Sequence, residues 1–258
     1  MNKQKSLLQG LPAALLCQSA AILISCAAIS IFIAAISIYA QNPPGDSKHN
    51  TRPQQAVPAV AGATSTDTVR YSYEFSQPKF YVKHIRLEHD ANGRGIVTFE
   101  RLNEDTPVTE PIDLSPDALA RISAAWQGLR FLESDTNYQA GKQFPHLGTM
   151  KIGMERGERR RVAEFNWTNN RDAETLVNEY RKAADQAILV FDIAVARENQ
   201  PLNAPKLMEL MEAMLKRNGL SDPRQLLKLL QDLSTDEHVP LIARNHALRL
   251  IKEIEKKK

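Results

Sequence analysis

Residues 81–102, YVKHIRLEHDANGRGIVTFERL, contain two runs in which polar and apolar side chains alternate, with a short polar stretch between them. Apolar side chains at every second position are typical of a strand that buries one face. The alternation predicts strands over Tyr81 to Glu88 and Ile96 to Leu102, and Asn92-Gly93 supplies the positive φ angle that a hairpin turn needs. This stretch therefore predicts a β-hairpin.

The residues on either side of the hairpin predict further strands and a helix. Val69 to Ser76 alternates in the same way, and Val108 to Leu114 is a short extended segment. Ser115-Pro116-Asp117 predicts a helix start, because serine caps a first turn and proline fits its first position. The helix that follows is predicted to bury a face that carries Leu119, Ile122, Trp126, Leu129 and Leu132.

A second hairpin and a long helix come next. The hairpin is predicted from Thr149–Glu155 and Arg159–Thr168, with core-facing side chains at Met150, Ile152, Met154, Ala163, Phe165 and Trp167. The helix is predicted from about Arg171 to Glu198, with a buried face of Leu176, Tyr180, Ala184, Ala187, Ile188, Phe191 and Val195. This order predicts an α+β domain over residues 69–200, with an antiparallel or mixed sheet of about five to six strands packed by two helices.

Residues 201–258 are predicted to form a small all-helical subdomain. Its first helix runs from Pro205 to Asn218 and ends at Gly219 as a C-cap glycine; the second opens at Ser221-Asp222-Pro223; the third covers Val239 to Lys257. Three methionines on the first helix predict either core packing or an adaptable binding groove. They are Met208, Met211 and Met214, with Leu207, Leu210 and Leu215 beside them.

The N-terminal part of the chain is apolar and then rich in proline and alanine. No charged side chain occurs between Lys5 and Asp46, and residues 13–40 exceed the roughly 20 apolar residues that span a bilayer. We predict a short cytoplasmic N-terminus at 1–12, a transmembrane signal anchor at 13–40 and a flexible linker at 41–68. Two alternatives are a signal peptide cleaved after Ala40 and a lipoprotein modified at Cys26.

Charge and cysteine content exclude several functions. The chain has 33 basic and 30 acidic side chains, a balance that does not favour nucleic acid as a partner. Both cysteines, Cys17 and Cys26, lie in the apolar segment, so residues 41–258 contain no thiol for a disulfide framework, a zinc site or a nucleophile. The chain also lacks the hydrolase, phosphate-loop and dinucleotide motifs, so no cofactor is predicted and no catalytic residue is assigned.

Several polar clusters contain the residue types of metal or anion sites. His84, Glu88, His89 and Asp90 are the densest set of metal-ligand types, but on a strand His89 faces away from His84, and no metal is predicted. The stretch from Asp90 to Gly95 resembles a calcium loop, yet Arg94 and Arg101 stand where that loop needs oxygen ligands. The arginines of the second hairpin predict a solvated turn, or alternatively a site for an anion. They are Arg156, Arg159, Arg160 and Arg161.

Two resemblances add expectations. The order of elements from about Tyr71 to Ile188, including Phe131-Leu132 after the first helix, resembles a bacterial family of membrane-anchored envelope proteins whose α+β domain has no assigned activity. Asp236 to Arg244, continuing to Ala247-Leu248, is similar to the inner helix of one HEAT-type repeat. The second resemblance implies a protein-contact surface.

Together these observations predict a membrane-tethered binding or scaffold protein without catalysis. Its main domain is expected outside the cytoplasm, held at the inner (cytoplasmic) membrane by the N-terminal helix, with an envelope protein or glycan as partner. One alternative is an envelope hydrolase or glycan-modifying enzyme that uses carboxylates and His146, with Ser123 or Ser134 as weaker candidates. The other is a secreted binding module released at Ala40.

Overall fold

A computed structural model describes residues 68–256 of the chain. The predicted cytoplasmic N-terminus, the transmembrane helix and all of the predicted linker except Thr68 lie outside the described residues. Within residues 68–256, no helix is both long enough and apolar enough to cross a membrane.

An antiparallel sheet of six strands confirms the α+β prediction. The strands are β1 (Val69–Ser76), β2 (Val82–Asp90), β3 (Arg94–Arg101), β4 (Val108–Asp113), β5 (Thr149–Arg156) and β6 (Arg159–Phe165). Their order across the sheet is β4-β3-β2-β1-β5-β6, and every neighbouring pair is antiparallel. The first strand is therefore central, because the chain crosses from β4 at one edge to β5 beside β1.

The predicted hairpin of β2 and β3 turns at Gly93. Its φ angle is +82°, and its N–H donates to the carbonyl of Asp90 at 3.1 Å. The Asp90 carboxylate accepts from the main-chain N–H groups of Asn92 and Arg94, at 2.8 and 3.0 Å. This carboxylate therefore fixes the turn, which accounts for its resemblance to the start of a calcium loop.

Two helices cover one face of the sheet. The first, α1 (Pro116–Leu129), begins as predicted with the Ser115 hydroxyl accepting from the N–H of Ala118. The second, α2 (Arg171–Asn199), is capped by the Asn170 side chain. Apolar side chains of these helices and of the sheet form the first core, whose largest fully buried members include Tyr73, Tyr180, Phe99 and Phe131.

Two predicted core positions are exposed instead. Trp167 lies beyond the end of β6 at Phe165, so the strand alternation does not extend to it, and 43% of its surface is exposed. Val195 lies near the end of α2, where 38% of its surface is exposed. In both cases the sequence pattern extends beyond the part of the element that another strand or helix covers, so the side chain stays exposed.

The C-terminal region is helical, with α3 (Ala204–Lys216), α4 (Leu227–Thr235) and α5 (Leu241–Lys256). These helices share a second core with Leu189 and Ile193 of α2. Met208, Met211 and Met214 are buried in that core, so core packing is right for them and the Met-rich groove is wrong. Asn218, with φ +55°, adopts the left-handed conformation predicted for Gly219.

Candidate binding site

Four apolar side chains, three exposed and one half-buried, gather at the end of the sheet where β1 and β6 finish. They come from the β1–β2 turn, the loop before β5 and the segment after β6, and we call them the aromatic pole: Phe80, Phe144, Leu147 and Trp167. Phe80 and Trp167 are each more than 40% exposed. Grouped apolar side chains on a surface are typical of interaction sites.

Hydrogen bonds hold the three loops of this pole together. The buried Gln77 side chain donates to the carbonyls of Pro145 and His146, at 3.0 and 2.9 Å. The N–H of Ala140 donates to the carbonyl of Trp167 at 2.9 Å. These bonds fix the main chain on either side of the exposed side chains.

The Asn166 side chain forms two further hydrogen bonds between these loops. Its Oδ1 accepts from the N–H of Phe144 and from Nε2 of Gln139, each at 3.2 Å. The rings of Phe144 and Trp167 then meet edge to face, with centroids 5.3 Å apart. The aromatic groups are therefore positioned before any ligand binds, which lowers the entropy cost of binding.

A pocket of about 360 Å³ opens between this pole and α2. Its floor is apolar, made by Met150, Phe165 and Val177, and its rim includes Phe80, Leu147 and Trp167. The polar groups Glu174, Asn178 and Arg181 line one side from successive turns of α2. An apolar pocket with a few convergent polar groups is the usual form of a binding site.

Arg181 links this pocket to buried groups beneath it. Its guanidinium lies 5.1 Å from the centroid of the Phe75 ring. Burial raises the pKa of Tyr73 to about 12, and the nearby Arg181 charge opposes that rise. Burial likewise raises the pKa of the Asp185 carboxyl, against the opposing charges of Arg181 and Arg217. Arg181 therefore carries the positive charge at the inner wall of the pocket.

A buried polar network lies elsewhere, between β2, α1 and α2. The Tyr180 hydroxyl is 2.8 Å from Nε2 of His89 and accepts from the indole N–H of Trp126 at 2.9 Å. Since Nδ1 of His89 is 2.6 Å from the carbonyl of Asp90, which can only accept, we assign the imidazole proton to Nδ1. Nε2 then accepts from Tyr180.

Burial explains the unusual titration of this network. It lowers the pKa of His89 and raises the pKa of Tyr180 far above its usual range. Both side chains belong to the interior, with His89 4% and Tyr180 0% exposed. The shifts therefore reflect internal packing, and we assign the network to folding.

The other histidine of the predicted metal cluster lies on the open face of the sheet. His84 stands between the carboxylates of Glu74 and Glu100, at 3.4 and 3.3 Å. His89 faces the core, as the strand alternation predicts. Across residues 68–256, no three His, Cys, Asp or Glu side chains are grouped to hold a metal ion.

The arginine-rich hairpin has a structural role that its sequence pattern did not reveal. Arg161 donates to the carbonyls of Phe131 and Thr136, at 2.6 and 2.7 Å, and Arg159 donates to the carbonyl of Leu132 at 2.5 Å. These hydrogen bonds join the loop at residues 131–136, after α1, to strand β6. Arg161 is half-buried and therefore not purely solvated, whereas Arg156, Arg159 and Arg160 are exposed, as a solvated turn predicts.

The side chains proposed for a hydrolase do not form a catalytic pair. His146 is exposed in a short 3-10 turn and forms no ion pair with a carboxylate in the described part of the chain. The Ser134 hydroxyl pairs with Thr136 at 2.5 Å.

The pole residues were absent from the predicted sites, although the sequence contains two signals. Phe80 follows Pro78-Lys79 in a turn, where an aromatic side chain is unusual, and Thr168-Asn169-Asn170, directly after Trp167, is typical of a loop next to that residue. Comparison with known proteins finds no matching family model and no matching curated protein. We therefore infer function from the chemistry of the site.

Proposed function

We propose that the protein is a membrane-tethered, extracytoplasmic binding protein without catalytic activity, and that the aromatic pole is its binding site. One observation carries the proposal: exposed aromatic and aliphatic side chains are held by hydrogen-bonded loops around an apolar pocket. Tryptophan, phenylalanine and arginine are among the side chains that are enriched at protein interfaces. The partner we favour is an envelope protein that inserts an apolar side chain into the pocket.

The position of the pole suits a tethered protein. Strand β1 begins at Val69, at the end of the sheet where the β2–β3 and β5–β6 turns lie, and it ends at Ser76 beside the aromatic pole. The eight residues of β1 span about 26 Å. If residues 13–40 anchor the chain, the pole lies at the end of the sheet farthest from the entry of the tether.

The test uses the indole N–H signals of the full-length chain, labelled with ¹⁵N-tryptophan and purified in mild detergent. The chain has two tryptophans, one at the pole and Trp126 in the core at 3% exposed. N-acetyl-phenylalaninamide is expected to shift the Trp167 signal and leave the Trp126 signal in place. For a ligand of this size, a dissociation constant on the order of 1 mM is expected.

Matched variants locate the effect. Leu147→Ser is expected to weaken binding at least several-fold, whereas Leu202→Ser, at a leucine 85% exposed and away from the pole, is expected to leave it unchanged. If chitobiose shifts the Trp167 signal and the phenylalanine amide does not, the partner is a glycan and not a protein. No saturable shift of Trp167 with either probe would refute binding at the pole.

The membrane tether needs a separate measurement, the intact mass of the protein from the cells that make it. A species of 28.9 kDa in the membrane fraction supports the uncleaved anchor. A species lighter by about 4 kDa, the mass of 40 residues at the mean of this chain, supports cleavage after Ala40.

A further inference from the structure

A pocket of about 330 Å³ lies beside the turn between β5 and β6, at the end of the sheet opposite the aromatic pole. Its other wall is formed by the C-terminal half of α1 and the residues that follow that helix. Three arginines line it, and we call it the arginine pocket: Arg130, Arg156 and Arg159. Glu133 is the one carboxylate among the lining side chains, so they carry an excess of two positive charges.

Two of these arginines are placed opposite each other by the hairpin. Arg156 and Arg159 form the last pair of β5 and β6 before the turn. Like charges directly opposite each other on neighbouring strands destabilise a sheet. The adjacent pair, Glu155 and Arg160, carries opposite charges and lies on the other face of the hairpin. The repulsion between two positive charges is therefore confined to the face that lines the pocket.

The third arginine has an uncommon backbone conformation. Arg130 follows the last residue of α1 with φ +46° and ψ +46°, in the left-handed region. Glycine is the usual residue at such a helix end, because a side chain is strained in this conformation. Among residues 68–256, the other non-glycine residue with a positive φ is Asn218, a residue type that tolerates it. The fold therefore keeps an arginine side chain at the pocket despite the strain, and local strain of this kind is typical of functional sites.

The three guanidinium groups retain hydrogen-bond donors for a ligand. Arg159 donates to the carbonyl of Leu132 at 2.5 Å. Nε of Arg130 donates to the Glu133 carboxylate at 3.0 Å. Each guanidinium has five N–H donors, so these two bonds position the groups and leave most of their donors free. Arg156 forms no ion pair and no side-chain hydrogen bond with any residue of the described chain.

We propose that the arginine pocket binds the phosphate group of a phosphate monoester. A guanidinium matches two phosphate oxygens with parallel hydrogen bonds. A monoester carries a charge of about −1.5 to −2 at pH 7, which balances the excess positive charge of the pocket. The bound anion also offsets the repulsion between Arg156 and Arg159. The half-buried side chains of Tyr71 and Leu132 line the same pocket and offer an apolar surface to the organic part of the ester.

Titration of the full-length chain with glycerol 3-phosphate tests the proposal. The chain is purified in dodecyl maltoside, an uncharged detergent, and calorimetry in a phosphate-free buffer measures the dissociation constant, expected on the order of 1 mM. Arg156→Gln is expected to weaken binding at least several-fold, because it removes one charge-assisted contact. Arg160→Gln, at the exposed arginine on the other face of the hairpin, is expected to leave binding unchanged. Equal weakening by the two variants would refute the pocket, since only the total charge of the hairpin would then matter.

Arg130→Gly separates phosphate binding from folding. Glycine adopts the left-handed conformation without strain, so the thermal unfolding midpoint in phosphate-free buffer is expected not to fall. Binding of glycerol 3-phosphate is expected to weaken at least several-fold in the same variant. A lower midpoint with unchanged binding would assign Arg130 to the stability of α1 and overturn the proposal.

The phosphate monoester has two possible sources, a soluble ester and a lipid headgroup, which a competition experiment distinguishes. Maltoside micelles that contain phosphatidic acid are compared with micelles that contain phosphatidylcholine. If phosphatidic acid competes with glycerol 3-phosphate and phosphatidylcholine does not, the lipid headgroup reaches the pocket. If neither lipid competes, the source is a soluble ester. Absence of saturable binding of both glycerol 3-phosphate and phosphatidic acid would refute the proposal, which does not depend on the function of the aromatic pole.

Discussion

The substitution Tyr180→Phe tests the buried network that joins β2 to both covering helices. It removes one hydroxyl and keeps the ring, which stacks on Tyr73 with centroids 5.5 Å apart. The loss leaves two buried groups without their hydrogen-bond partner: the indole N–H of Trp126 and Nε2 of His89. An unpaired buried polar group costs about 1–3 kcal/mol, so for two such groups we expect a loss of about 2–6 kcal/mol in the free energy of unfolding.

Urea unfolding of a chain comprising residues 41–258, which lacks the apolar segment, measures this loss. Trp126 reports unfolding by fluorescence because it moves from the core into water. With a denaturant slope of about 2 kcal/mol per molar urea, the midpoint is expected to fall by about 1–3 M.

Tyr71→Phe is the matched control. Tyr71 packs against the same network, with its ring 5.0 Å from that of His89, and its hydroxyl has no hydrogen bond within residues 68–256. This variant is expected to change stability by less than about 0.5 kcal/mol. If Tyr180→Phe and Tyr71→Phe gave equal midpoints, the network would contribute no net stability and the reasoning would be refuted.

Three further predictions use the same chain. Trp126→Ala is expected to cost about 3–5 kcal/mol in urea unfolding followed by circular dichroism, because it empties a buried site; a negligible loss would contradict the packing of α1. Burial lowers the pKa of His89 in the folded state, so the folded protein favours the neutral imidazole. The stability that depends on this neutral form is therefore present above the unfolded histidine pKa of about 6.5. It is lost as the pH falls through the lower pKa of the folded state. Titration of stability against pH is expected to show this loss in the native chain and to show less of it in His89→Gln; identical profiles would exclude His89 as the cause. Arg161→Ala is expected to speed proteolysis in the loop at residues 131–136 at least several-fold by removing its two hydrogen bonds, whereas Arg160→Ala, at an exposed arginine, serves as the control. Equal rates of proteolysis in the two variants would show that the hydrogen bonds of Arg161 do not hold this loop in place.

Local patterns in the sequence predicted most of the secondary structure. Alternation located five of the six strands, since a sheet with one buried face imposes a period of two on its side chains, and the sixth, β4, was predicted as a short extended segment. Ser115 and Asn92-Gly93 marked a helix start and a turn, because each acts through hydrogen bonds or φ angles of its immediate neighbours. Such signals need no knowledge of distant residues.

The candidate site was not predicted, because its parts are distant in the chain. Phe80 and Trp167 are 87 positions apart in the chain, and they come together only because their loops lie at the same end of the sheet. Periodicity assigned Trp167 to the core, yet burial depends on whether another element covers the position. Arg161 likewise gave no local sign of its bonds to residues 131 and 136.

The sequence by itself determined the strands, the helix starts and the α+β class of the described domain, since these follow from interactions within a few residues. Tertiary structure alone decided that β1 is central, that β4 is an edge and that the network of His89, Trp126 and Tyr180 is buried. The reason is physical: the order of strands and the cover on each face depend on contacts between residues far apart in the chain, and a local pattern contains no information about which surfaces meet.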